Sequence, residues 1–156
     1  MGSEFKFNFN WVLINELAVG NLPITNDAIK ILKQNKIISV LTLCSKDESI
    51  ELERISKIFN YRNITLPDHR YNYDLQKQDI INTLEVLSEL IKLGPVFVHC
   101  VAAMERSPII SMAWLIKSKK LNTEQALDYL MQVNPGTNPL PIQLKVLREY
   151  YYSLNR

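Results

Sequence analysis

Val96-Phe97-Val98-His99-Cys100-Val101-Ala102-Ala103-Met104-Glu105-Arg106-Ser107-Pro108 is the stretch around which the chain organises itself. Its first three residues are apolar and β-branched or aromatic, as a short strand buried on both faces should be. Gly94-Pro95 just ahead stops the preceding helix. Ser107–Lys119 restarts as a helix, with Pro108 in the first turn, where no N–H is needed. Cys100 therefore falls at the carboxyl end of a buried strand, where open α/β sheets collect their ligands.

The loop between that strand and helix carries the chemistry. A cysteine attacks as thiolate, and an ordinary pKa near ~8.5 leaves little thiolate at neutral pH. A cysteine just before a helix faces unpaired N–H groups and the positive end of a dipole, which can lower that value to between ~3.5 and ~7.5. Val101, Ala102, Ala103, Met104 and Glu105 separate Cys100 from Arg106. A loop of that length can curl so that its N–H groups converge on a phosphate. Arg106 closes the cup with a planar fork that Lys could not imitate. Ser107 is placed to donate a hydrogen bond to the sulfur and to stabilise the departing thiolate when a phosphocysteine is hydrolysed.

Outward from this loop, strand-like and helical runs alternate. Trp11–Ile14, Leu17–Gly20, Ile37–Leu43 and Tyr61–Leu66 read as strands. Asn26–Asn35 reads as a helix with Ile29, Leu32 and Lys33 on one face, and Asp47–Phe59 as another with Ile50, Ile55 and Ile58 inward. Gln76–Leu93 is a longer amphipathic helix with Ile80, Leu84, Leu87, Leu90 and Ile91 on a stripe. Thr123–Val133 and Pro141–Leu154 are two more helices. The expected fold is α/β: a small, mostly parallel central sheet flanked by helices, with the phosphate-binding loop between a central strand and a helix.

Bulk properties narrow the function. The 156 residues suit one domain, 1–156, with residues 1–9 read as a flexible or vector-derived lead-in. A net charge of +2, with no basic run, argues against nucleic acid as a partner. No apolar stretch is long enough to span a membrane, and MGSEFKFNFN lacks the apolar centre of an export signal. Met1-Gly2 resembles an acylation start, but Lys6 stands where Ser or Thr would be wanted. Cys44 and Cys100 form neither a disulfide framework nor a metal site, so free thiols in a reducing cytosol are expected.

The motif from His99 to Ser107 resembles the dual-specificity branch of the cysteine-dependent protein tyrosine phosphatases, whose signature is His-Cys-x-x-Gly-x-x-Arg-Ser. The likeness runs on through Asn15–Pro23, Ile29–Leu43, Ser111–Trp114, Thr123–Tyr129 and Asn138–Tyr151, so it covers nearly the whole chain from Trp11. It implies hydrolysis of phosphotyrosine, and of phosphoserine or phosphothreonine, in a phosphorylated protein, with no cofactor or metal; a monomer is expected. It also implies a general acid about thirty residues before the cysteine. Asp68 in Leu66-Pro67-Asp68-His69 is the candidate; the alternative is Asp74, which would otherwise cap the following helix. His99 matches the family's histidine, expected to orient the loop and favour the thiolate. His69 is either solvated or part of the pocket mouth.

Ala103 departs from the pattern by standing at the family's glycine. If φ there is positive, the loop is strained by roughly 1 kcal/mol or more. Glu105 adds a carboxylate beside Arg106, and the five loop residues contain no Lys or Arg, which disfavours polyphosphorylated substrates. A short chain without insertions implies a shallow cleft, rimmed by Tyr71 and Tyr73. If the Cys44 strand lies parallel beside Val96–Val98, oxidation could join Cys44 to Cys100; otherwise Cys44 is a small buried hydrophobe. Other readings are a phosphatase-like domain that binds phosphorylated partners without turnover, a phosphatase of a non-protein phosphomonoester, and a rhodanese-related phosphatase or arsenate reductase. The Arg-Ser-Pro ending and the three closing helices fit the last pair less well.

Overall fold

The computed structural model describes residues 6–48 and 51–154. Among these, five strands form one sheet: β1 (Phe9–Leu13), β2 (Leu17–Gly20), β3 (Ser39–Thr42), β4 (Asn60–Asn63) and β5 (Val96–His99), in the order β1-β2-β5-β3-β4. Only β1 pairs antiparallel, with β2; every other pairing is parallel. The central strand is thus β5, whose four residues are all buried, and it delivers His99 and Cys100 to the carboxyl rim. The expected α/β architecture is present, with the strands slightly displaced from their sequence-based bounds.

Six α-helices cover the sheet: α1 (Asn26–Gln34), α2 (Leu52–Ile58), α3 (Lys77–Ile91), α4 (Arg106–Lys119), α5 (Thr123–Val133) and α6 (Pro141–Leu154). Side chains alternate across a strand, so each strand feeds two cores. Val19, Leu41, Val98 and Cys100 pack with the helices α3 to α6. Ala18, Val40, Cys44 and Phe97 pack with α1 and α2 on the opposite face. Helix α4 has a buried residue at every position from Arg106 to Ile116, because sheet and neighbouring helices enclose it.

Several inward positions differ from the periodicity reading. Lys33 is exposed, and Ala28, Ile29 and Leu32 form the buried face of α1. The expected helix over 47–59 divides into a 3₁₀ turn at Lys46–Glu48 and the shorter α2. The reason is electrostatic: the Glu48 carboxylate accepts from the Ser45 N–H at 2.6 Å and turns toward the arginines of the site. In α2, Leu52 and Ile55 point inward while Ile58 is exposed; Ile50, like Met1-Gly2, lies outside the described residues. Strand β4 stops at Asn63, but Ile64 and Leu66 still donate to the carbonyls of Thr42 and Leu43 (both 2.9 Å), which anchors the segment leading to Asp68.

Candidate active site

Cys100 sits between β5 and the first turn of α4, its Sγ 3.2 Å from the Ser107 hydroxyl. That hydroxyl can donate to a thiolate, the role anticipated for Ser107. A pocket of about 220 Å³ opens above the sulfur. Its floor and one wall are Cys100, Val101, Ala102, Met104, Glu105 and Arg106, and Asp68, His69 and Arg70 form the facing wall.

Arg106 is buried, and its fork is held from behind. Nη1 donates to Glu48 Oε2 at 3.1 Å and to the Leu66 carbonyl at 3.2 Å, and Nη2 donates to Glu48 Oε1 at 3.0 Å. Asp68 Oδ2 lies 3.4 Å from the same Nη2. Glu48 also receives the Arg70 guanidinium and, at 3.2 Å, the Tyr71 hydroxyl. Burial works against the charge on Glu48, but Arg106, the Ser45 N–H and Arg70 outweigh it and bring the carboxyl down to about 2. Burial likewise opposes charge on Arg106, and Glu48 beside it more than restores the cation.

Asp68, the acid candidate of the sequence, is among the residues that line the pocket. Its Oδ1 accepts from the Arg70 N–H at 3.0 Å, and its Oδ2 from Arg70 Nε at 2.9 Å. Burial would raise this carboxyl, but the Arg70 side chain and backbone, helped by Arg106, hold it below the ordinary carboxylate range. Asp74 is exposed and does not line the pocket. Nor does it cap α3: Gln76 takes that place, its N–H donating to Asp79 Oδ2 at 2.8 Å.

His99 is fully buried. Its Nδ1 lies 3.0 Å from the Cys100 carbonyl, which can only accept, so Nδ1 carries the proton and Nε2 accepts from the Thr42 hydroxyl at 2.7 Å. Burial drives this imidazole down to about 4, against the hydrogen bond to Cys100 and with help from Arg106. His99 is therefore neutral near pH 7 and orients the Cys100 backbone rather than adding a positive charge.

Ala103 has φ +58°, the left-handed region where its methyl is strained. Its carbonyl accepts from Asn134 Nδ2 at 3.0 Å, and Asn134 is tied to Thr137 and Asn10. The Met104 carbonyl accepts from the Asn138 N–H at 2.8 Å. The segment between α5 and α6 thus braces the strained half of the loop.

No bond joins the two cysteines, yet they lie near enough for Cys100 to contribute to raising the Cys44 thiol. Parallel pairing of β3 with β5 sets Thr42 against His99, so Cys44 stands one residue out of phase with Cys100 and faces the other core. Both are free, and burial, then Glu48, pushes the Cys44 thiol up to about 12. Tyr71 and Tyr73 pack edge to face, ring centres 5.5 Å apart, without lining the pocket. Among the described residues no cluster of His, Cys, Asp or Glu could hold a metal.

Sequence reasoning passed over Glu48, Arg70, Thr42, Asn134 and Gln143. Only Glu48 carried a signal: a carboxylate just beyond a strand end belongs to the rim where this fold gathers its ligands.

The family model described as the catalytic domain of dual specificity phosphatases matches residues 22–153. A phosphatidylglycerophosphate phosphatase of Arabidopsis thaliana, PTPMT1, is 25% identical over 152 residues, covering 96% of this chain and 44% of that protein. Human dual specificity protein phosphatase 5 is 35% identical over 81 residues, covering 51% of this chain and 21% of that protein. The chain therefore spans less than half the length of either relative. The crystal structure of the human tyrosine phosphatase-like serine/threonine/tyrosine-interacting protein superposes with a TM-score of 0.83 over 95% of this chain and 98% of that one, at 17% identity. On the match over 22–153 and a cysteine, arginine and serine at the head of α4, this chain belongs to the dual specificity phosphatase family of cysteine-dependent phosphatases.

Proposed function

We propose that the chain hydrolyses phosphoprotein monoesters, phosphotyrosine first and phosphoserine or phosphothreonine with it, through a phosphocysteine on Cys100. The observation that carries the choice of substrate is the loop's side-chain chemistry. Its pocket-lining members are Val101, Ala102 and Met104, with Glu105 as the only charge before Arg106. Two arginines, Arg70 and Arg106, face three carboxylates, Glu48, Asp68 and Glu105. Such a pocket suits one phosphate on an apolar body such as an aryl ring, and it repels an additional phosphate.

The proposed sequence uses this chain's own groups. The Cys100 thiolate attacks phosphorus, a P–S bond forms and the P–O bond to the leaving group breaks. Asp68 gives its proton to the departing oxygen. The approaching dianion draws on Arg106 and sets negative charge beside Asp68, and both effects move its carboxyl toward the protonated form. Water then attacks the phosphocysteine, Asp68 takes the proton, and the Ser107 hydroxyl supports the leaving thiolate across its 3.2 Å contact. His99 stays neutral throughout. Two free cysteines fit a reducing compartment such as the cytosol.

A lipid phosphomonoester is the second reading, favoured by the plant relative, named for phosphatidylglycerophosphate, which matches 96% of this chain. The test compares kcat/KM on phosphotyrosyl and phosphoseryl peptides with that on a short-chain phosphatidylglycerophosphate, with Cys100→Ser and Asp68→Asn as controls. A tenfold or greater preference for peptide, abolished by Cys100→Ser, supports the proposal. The opposite preference replaces it with the lipid reading. Peptide binding without turnover of either substrate makes the chain a binding module. Asp68→Asn should lower kcat by about 10² and remove the basic limb of the pH profile.

A further inference from the structure

Glu105 is the last loop residue before Arg106, at the N-cap position of α4, yet its side chain makes no capping hydrogen bond. Its carboxylate faces elsewhere. Oε1 accepts from the His69 backbone N–H at 3.1 Å and from Gln143 Nε2 of α6 at 2.9 Å. Oε2 accepts from His69 Nδ1 at 2.5 Å. The Glu105 side chain is only 12% exposed, whereas that of His69 is 59% exposed. One nearly buried carboxylate thus joins the phosphate loop, the segment carrying Asp68, and α6.

His69 follows Asp68 directly. Fixing both the N–H and the ring of His69 fixes the position from which the Asp68 side chain extends. The other end of the segment is fixed at Leu66, through its N–H to the Leu43 carbonyl at 2.9 Å. Between these anchors residues 67–68 form neither helix nor strand. Gln143 in turn holds the first turn of α6, accepting from the Leu140 N–H at 2.7 Å, so it is a fixed support for Glu105.

We infer that Glu105, backed by Gln143, is a positioning residue that latches the acid segment through His69 and so sets Asp68 over Cys100. The inference rests on the proposed acid role of Asp68. A bracing contact for the loop alone would matter equally for every substrate. In kcat/KM, which reports the steps up to departure of the leaving group and not the later hydrolysis, a latch on the acid matters only where the leaving oxygen needs a proton. It should leave almost untouched a substrate whose phenolate departs unprotonated.

The experiment uses His69→Ala and His69→Asn, each with and without Asp68→Asn, on phenyl phosphate and on 2,4-dinitrophenyl phosphate. Asparagine restores an N–H where Nδ1 stood. His69→Ala should lower kcat/KM about tenfold on phenyl phosphate and less than twofold on the dinitrophenyl ester. His69→Asn should recover most of the loss, and His69→Ala should add nothing in the Asp68→Asn background. Equal losses on both esters, or additive losses with Asp68→Asn, overturn the latch. Hydrogen exchange of amides 68–71 judges the contact apart from the acid role: faster exchange in His69→Ala supports it, and unchanged exchange overturns it. Should exchange rise while Asp68→Asn leaves the leaving-group dependence at its wild-type value, the acid assignment falls, and the latch's catalytic part with it.

Discussion

Glu48→Gln tests the arrangement behind Arg106 most directly. Glutamine keeps the shape and one acceptor but removes the charge facing Arg106 and Arg70. Holding a carboxyl at about 2 rather than its ordinary 4.5 corresponds to a ceiling of ~3 kcal/mol in favour of the folded, charged form. The side chain is 13% exposed at the pocket mouth, and screening there reduces this to about 2 kcal/mol. Because the folded value is depressed, the stabilisation is complete above the unfolded value near 4.5 and drains as pH falls toward about 2. Urea unfolding should therefore show the variant about 2 kcal/mol less stable at pH 7, equivalent to roughly 4–8 °C in Tm for a domain of this size. By pH 3.5 the gap should have lost about two fifths of its size. Asp68 and His99 also titrate, but they are present in both proteins and leave the difference nearly unchanged. A gap constant from pH 7 to pH 3.5, or a variant as stable as wild type at pH 7, would refute the reasoning.

Two further outcomes follow from the loop and its surroundings. Ala103→Gly relieves about 1 kcal/mol of left-handed strain but adds a comparable chain-entropy cost, so urea unfolding should place it within ~1 kcal/mol of wild type. A change above ~2 kcal/mol in either direction would mean that Asn134 does not hold this conformation as described. The Cys44 thiol, pushed up to about 12 and buried against α2, should not react with a disulfide reagent at pH 8 until urea is added. A native titration of both thiols would show that Cys44 is less enclosed than its packing implies, whereas a Cys44–Cys100 disulfide after peroxide would show that the one-residue offset leaves the two sulfurs within reach.

The strand, loop and helix from Val96 to Lys119 were readable because three signals coincide there: apolar β-branched residues, a Cys-to-Arg spacing that encloses a phosphate, and a proline in a first helical turn. Helices α5 and α6 were read to the residue, since Asn122 and Pro141 punctuate them sharply. The failures have physical causes. Lys33 and Ile58 fit a helical stripe by spacing but face solvent, because each helix meets the sheet over a narrower arc than periodicity suggests. The turn at Lys46–Glu48 was invisible because its cause, the pairing of Glu48 with Arg106, links residues 58 positions apart. The one-residue offset between Cys44 and Cys100 depends on strand register, which the order of residues along a single strand does not reveal.

The same long-range pairing explains how a pocket with three carboxylates can accept an anion. At rest its charges satisfy one another: Arg106 leans on Glu48, Arg70 bridges Glu48 and Asp68, and Glu105 is occupied by His69 and Gln143. An entering phosphate need not displace Glu48, which holds Nη1 and Nη2 end-on; Arg106 Nε stays outside that grip. The contact weakened by the entering dianion is the longer one, between Arg106 and Asp68 at 3.4 Å. Losing it works toward protonating Asp68, as its proposed role as the acid requires. An additional phosphate would meet Glu105 and Asp68 with only Arg70 to receive it. That asymmetry, rather than pocket depth, is the physical basis for expecting a single-phosphate ester as substrate.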